Sequence, residues 1–290
     1  MTTLPLADGR TLDVRRTGDP SAPALVYHHG TPGSSRISGV LERAALARGL
    51  QVVSWSRPGY ADSARRPGRT VADVVDDAVE VLDGLGVGTA VTLGWSGGGP
   101  HTLACGALRP DRFRAVGVIA GVAPFAESWG SLAWIEGMGQ DNHDEFGAAE
   151  RGEAALRAHL EPQQPVLARI TADQVVESMA SLLPDVDRAH CTDEFGDDLA
   201  AIMRDAVSVG VDGWIDDDLA FVRPWGFDLA AVEVPVSLWQ GSADLMVPFA
   251  HGGWLAERLP DVRAHLLEGD GHLSVLVGRM DEILDDLLRA

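Results

Sequence analysis

The 290-residue sequence contains no lysine, so all 23 basic side chains are arginine. That absence removes Schiff-base chemistry and pyridoxal-phosphate enzymes, both of which need a lysine amine. Cysteine is almost as scarce: Cys105 and Cys191 lie far apart, and neither resembles half of a metal or redox pair. No uninterrupted apolar stretch reaches bilayer-spanning length, and Met1 to Pro5 lacks the basic start and apolar core of a secretory signal. The expected compartment is the cytoplasm. Positive charge is also outnumbered: 43 acidic residues give a formal net charge of -20, a surface that repels phosphates. This argues against nucleic acid or an anionic membrane as partner and leaves a small-molecule substrate, with oligomeric state open. His28 and His29 are neighbours on an extended chain and point to opposite faces, so they cannot readily chelate one ion, and no other zinc-like spacing occurs.

What is present is ample apolar material, 46% of the residues, enough for a large core and one insertion. Strand-like runs occur at 12–16, 24–28, 51–55, 90–95, 115–120, 236–240 and 263–267. Helical patterns over 37–48, 71–85 and 273–288 fall between or after them. That alternation predicts an α/β fold, a mostly parallel sheet flanked by helices on both faces. The rhythm breaks between about Pro124 and Val234, where acidic helical pieces are interrupted by Pro162, Pro165, Pro184 and Pro224. The expected organisation is a core of residues 1–124 and 234–290 with a helical cap inserted over 125–233. Trp129, Trp134 and Trp214 in this segment are candidate pocket-lining residues, as are Trp95 and His29 in the core. The acidic runs 141–145 and 216–218 read as solvated faces or helix starts.

The chemistry is carried by Leu93-Gly94-Trp95-Ser96-Gly97-Gly98-Gly99-Pro100. A serine with glycines at minus two and plus two marks a strand turning sharply into a helix, which lifts Ser96 out as a nucleophile. A serine hydroxyl needs a base, and the base needs a third group to fix its tautomer. His272, in the glycine-rich loop Glu268-Gly269-Asp270-Gly271-His272, is the candidate base. Asp244, following the 236–240 run, is the candidate orienting carboxylate and is preferred to Asp270, which shares one tight turn with His272. An oxyanion would be met by the Gly97 amide and by the Thr31 amide in His29-Gly30-Thr31-Pro32-Gly33, with the Thr31 hydroxyl as a further donor.

The order Ser96, Asp244, His272, the 29–33 loop, the turn Ser56-Arg57-Pro58-Gly59-Tyr60 and the interrupted sheet resemble the α/β-hydrolase superfamily over essentially the whole chain. The resemblance implies an eight-stranded sheet, a site at the strands' C-terminal ends under a helical cap, and no cofactor. Serine rather than aspartate at the elbow speaks against haloalkane dehalogenase and epoxide hydrolase relatives. The expected activity is cleavage of a small or medium carboxylic ester. A proline iminopeptidase-like aminopeptidase is the rival within the fold, and a non-hydrolytic small-molecule receptor the rival of another class.

Overall fold

The computed structural model describes residues 2–191 and 193–289. Among the described residues, eight strands form one sheet: β1 (Thr2–Pro5), β2 (Thr11–Thr17), β3 (Ala24–His28), β4 (Gln51–Trp55), β5 (Ala90–Trp95), β6 (Phe113–Ile119), β7 (Val236–Gly241) and β8 (Val262–Leu267). Their spatial order is β1-β2-β4-β3-β5-β6-β7-β8. β1 and β2 pair antiparallel at one edge, and every pairing from β4 through β8 is parallel. Each of the seven runs singled out in the sequence lies on a strand. β1 carries no such signal because it is a short, largely exposed edge strand ending in proline.

The helices α1 (Gly39–Ala47), α2 (Val74–Gly84) and α3 (Gly98–Leu108) alternate with the strands up to β6. Between β6 and β7 come α4 (Gln140–Glu150), α5 (Glu153–Leu160), α6 (Gln164–Leu167), α7 (Ala172–Ser178), α8 (Asp185–Arg188), α9 (Asp193–Ala206) and α10 (Asp212–Phe221). The core rhythm then resumes with α11 (Phe249–Ala256) and α12 (His272–Leu287). Successive side chains of β3 serve opposite faces, which is why the strand is apolar throughout. Leu25 and Tyr27 join a core cluster with Leu41 of α1 and Ile283 of α12, while Ala24 and Val26 join one with Ala78 of α2 and Leu103 of α3. No helix among the described residues is long and apolar enough to cross a membrane.

Strand order reverses at β3, with β4 on one side and β5 on the other. The crevice outside the C-terminal ends of such strands is where this architecture receives ligands. The 29–33 loop leaves β3 there and the Ser96 turn leaves β5 beside it.

Candidate active site

The backbone at Ser96 is left-handed, with φ of 55°, a conformation costly for a residue with a Cβ and held here by its surroundings. The Ser96 amide donates to the Ile119 carbonyl at 2.8 Å, and its own carbonyl accepts from the Gly99 amide at 2.9 Å. The flanking glycines are required by close approach. A Cβ on Gly94 would collide with the Gly98 carbonyl, and a Cβ on Gly98 would collide with the His28 carbonyl. β5 therefore enters α3 through a turn that leaves Ser96 on a cavity wall.

His272 opens α12 on the same cavity. Its Nδ1 lies 2.7 Å from Asp244 Oδ2, both side chains being buried. Asp244 also closes its own turn, its Oδ1 accepting from the Met246 and Val247 amides at 2.8 Å each, so turn and pairing are two uses of one carboxylate. Gln240 adds a donor to Oδ2 at 3.0 Å. The other ring nitrogen of His272, Nε2, is buried without a hydrogen-bond partner. Asp270 points elsewhere and pairs with Arg279 at 3.0 Å. The α12 N-terminus is capped by Asp187 of α8, whose carboxylate accepts from the amides of His272, Leu273 and Ser274 at 2.7, 3.1 and 2.8 Å.

Ser96, His272, Thr31 and Gly97 border one cavity of about 260 Å³, roofed by residues of the helical stretch that include Trp214, Met179 and Leu182. Neither the Thr31 nor the Gly97 amide donates to an acceptor among the described residues. The Thr31 hydroxyl is a correction to its expected role as a spare donor: it is spent on Asp217 Oδ2 at 2.8 Å. Trp95 and Trp214 line the cavity. Trp129 does not, being 77% exposed. Trp134 is also removed from it, buried among Phe125, Phe146 and His251 with its indole N–H on the Ala123 carbonyl at 2.7 Å. His29 borders the cavity with both ring nitrogens engaged, Nδ1 near the Gly30 carbonyl at 2.7 Å and Nε2 accepting the Arg57 amide at 3.1 Å. Burial and then the Arg57 charge push its pKa well below the ordinary histidine value, so it is a neutral structural ring.

The run 216–218 overturns the solvated-face expectation. All three aspartates are buried, because α10 carries Trp214 and Ile215 before them and Leu219 and Phe221 after them, leaving no polar face to expose. Asp216 pairs with Arg65 at 2.8 Å. Asp217 receives Arg57 at 2.6 Å, Arg69 at 2.5 Å and the Tyr60 hydroxyl at 2.9 Å. Burial alone would raise its pKa, but Arg57 and Arg69 overcome this and hold it well below the usual carboxylate range. Asp218 faces the cavity beside Glu145 of α4, and neither of its carboxyl oxygens meets a donor. Two neighbouring buried carboxyl groups disfavour each other's ionisation. Burial, reinforced by the Glu145 charge, raises Asp218 well above its ordinary value, and burial raises Glu145 as well. Glu145 is tied to the roof by the Trp214 indole N–H at 2.8 Å. The signal missed in the sequence is that apolar flanking on both sides of the acidic run.

The family model described as alpha/beta hydrolase fold matches residues 23–141, which include the 29–33 loop and the Ser96 turn. The chain has the α/β-hydrolase fold. The α/β-hydrolase fold extends over the rest of the chain in solved structures. An esterase from Exiguobacterium antarcticum, EaEST, aligns with TM-score 0.69 at 18% identity over 100% of this chain and 99% of that one. Epoxide hydrolase VrEH1 from Vigna radiata aligns with TM-score 0.71 at 17% identity over 100% and 97% of the two chains. Among curated proteins, "Putative carbamate hydrolase RutD" from Caulobacter sp. (strain K31) is 26% identical over 268 residues, 85% of this chain and 88% of that one.

Proposed function

We propose that this protein is a cytoplasmic, cofactor-independent serine hydrolase that cleaves a small or medium carboxylic ester, with residues 125–233 as a cap over the site. One observation carries the reading: a buried Asp244–His272 pair at 2.7 Å, with His272 Nε2 left without a partner, borders the same cavity as the strained Ser96. Ser96 Oγ attacks the ester carbonyl while His272 Nε2 takes its proton. The Thr31 and Gly97 amides receive the developing oxyanion, and Asp244 stabilises the imidazolium. Collapse breaks the bond to the alkoxide, which leaves with the proton from His272. Water, deprotonated by the same nitrogen, then attacks the acyl-enzyme, and Ser96 Oγ departs reprotonated as the carboxylic acid is released. Serine at the elbow gives an ester intermediate and separates this reading from the epoxide hydrolase neighbour of similar fold.

Glu145 and Asp218 on the cavity wall favour a second reading, an aminopeptidase whose substrate presents a free amine to them. Turnover of p-nitrophenyl acetate, butyrate and longer esters beside proline p-nitroanilide separates the two, with fluorophosphonate labelling as a probe for an activated serine. The expected result is ester turnover that falls by about 10⁴-fold or more in folded Ser96→Ala. Undiminished turnover in that variant, or a wild-type protein that takes neither ester nor fluorophosphonate, would overturn the proposal. Ligand binding without any turnover would instead point to the receptor alternative.

A further inference from the structure

The 29–31 segment leaves β3 and passes over the elbow without a strand partner, so its main-chain groups need partners from elsewhere. One side chain serves two of the carbonyls. Arg57 donates through Nη1 to the His29 carbonyl at 2.6 Å and through Nη2 to the Gly30 carbonyl at 2.9 Å and the Thr31 hydroxyl at 3.0 Å. The Thr31 hydroxyl then gives its own proton to Asp217, which also grips Arg57. Asp217 sits on α10, outside the sheet, and reaches this far in because α10 packs on the Arg57-Pro58-Gly59-Tyr60 turn through two glycines. A Cβ on Gly59 would come within 2.8 Å of Gly213 Cα, and one on Gly213 within 2.6 Å of the Tyr60 ring. The Gly213 amide donates to the Gly59 carbonyl at 3.2 Å across this seam. At the other end of the chain of bonds, Thr31 Oγ1 and Cβ lie so close to Gly97 that a Cβ there would collide with them.

We infer that Arg57 and Asp217 are positioning residues that fix the Thr31 amide against Gly97, so that the oxyanion site is assembled only while α10 is docked on the core. The inference rests on the serine-hydrolase reading for its kinetic consequence and on the hydrogen bonds alone for its structural one. The fork of Arg57 spans two carbonyls and a carboxylate at once, which a lysine could not do. Because Asp217 is buried against two arginines, its removal strands both, and Asp217→Asn is a variant that risks misfolding. Thr31 offers a gentler cut: Thr31→Val keeps the shape and loses the hydroxyl, whereas Thr31→Ser keeps the hydroxyl and loses a methyl.

The test measures kcat and KM on p-nitrophenyl acetate, with amide hydrogen exchange over residues 28–36, for wild type, both Thr31 variants and Asp217→Asn where it folds. In Thr31→Val, kcat should fall by about 10- to 100-fold, short of losing a whole oxyanion donor, while KM stays within about twofold. Exchange over 28–36 should rise, and Thr31→Ser should restore both readouts toward wild type. A role in packing alone predicts the reverse order, with valine tolerated and serine impaired, and that order would sink the inference. Folded Thr31→Val with wild-type kcat would also sink it. If the wild type turns over no ester and takes no fluorophosphonate, the hydrolase reading fails by itself. The exchange ranking of valine against serine then still decides whether the hydroxyl anchors the loop.

Discussion

At the C-terminal edge of the sheet, Ser96 and His272 are held by main-chain geometry: a left-handed turn walled by glycines, and a helix start capped by Asp187. On α10, by contrast, the buried carboxylates are held by charge. Asp217 and Asp218 are consecutive and both buried, yet one is sunk between two arginines and the other faces a second carboxyl group. The first kind of site tolerates little change in shape, the second little change in charge or pH. For Asp217 the depressed pKa gives stability that is present above the ordinary carboxylate range and lost as pH falls through its folded value. For Asp218 the sign reverses, and its contribution is full below that range and lost as pH rises through the raised value.

The comparison is broken or sharpened most strongly at the elbow. Gly98→Ala drives a Cβ into the rigid His28 carbonyl and should cost at least about 3 kcal/mol, lowering the melting temperature by about 5 °C or more. An unchanged melt would mean that the turn is not held by shape. Asp218→Asn should act through charge, since its amide can donate to Glu145 at any pH. It is expected to melt above wild type by the equivalent of about 1 kcal/mol at neutral pH, the gap widening from pH 5 to pH 9. A gap that shrinks as pH rises would contradict the raised Asp218 pKa. Smallest is Trp129→Ala, which removes an indole that lies outside both regimes. Its stability should change by less than about 0.5 kcal/mol and its kcat/KM by less than about twofold. A larger kinetic loss would return Trp129 to the substrate.

These regimes also explain which features are legible in the sequence alone. The sheet was legible because buried parallel strands are short apolar runs between turn residues, and 24–28, 51–55 and 90–95 coincide with β3, β4 and β5. The Ser96 turn was legible because Gly94 is forced by the Gly98 carbonyl four residues on, although Gly98 itself answers to the distant His28 carbonyl. The Asp244–His272 pairing spans 28 residues but follows from loops that leave adjacent strands, β7 and β8. By contrast, Asp217 meets Arg57 across 160 residues through a helix whose docking leaves no local signature, and an aspartate triplet has the same composition buried or solvated. Trp129 and Trp134 failed as pocket markers for a related reason: an indole in the turns before α4 serves packing, solvent or ligand without any change in its neighbours' sequence.

β6 and β7 are adjacent, with Val116 opposite Val236, so the chain departs for its helical excursion and returns one strand over. Such a layout invites exchange of the whole excursion between homologous scaffolds, because no rung of the ladder needs to be rebuilt. The Arg57 fork limits that freedom. A donor segment lacking an acid at the place of Asp217 would leave a bare guanidinium in the interior, so compatible grafts are those that carry their own counterion.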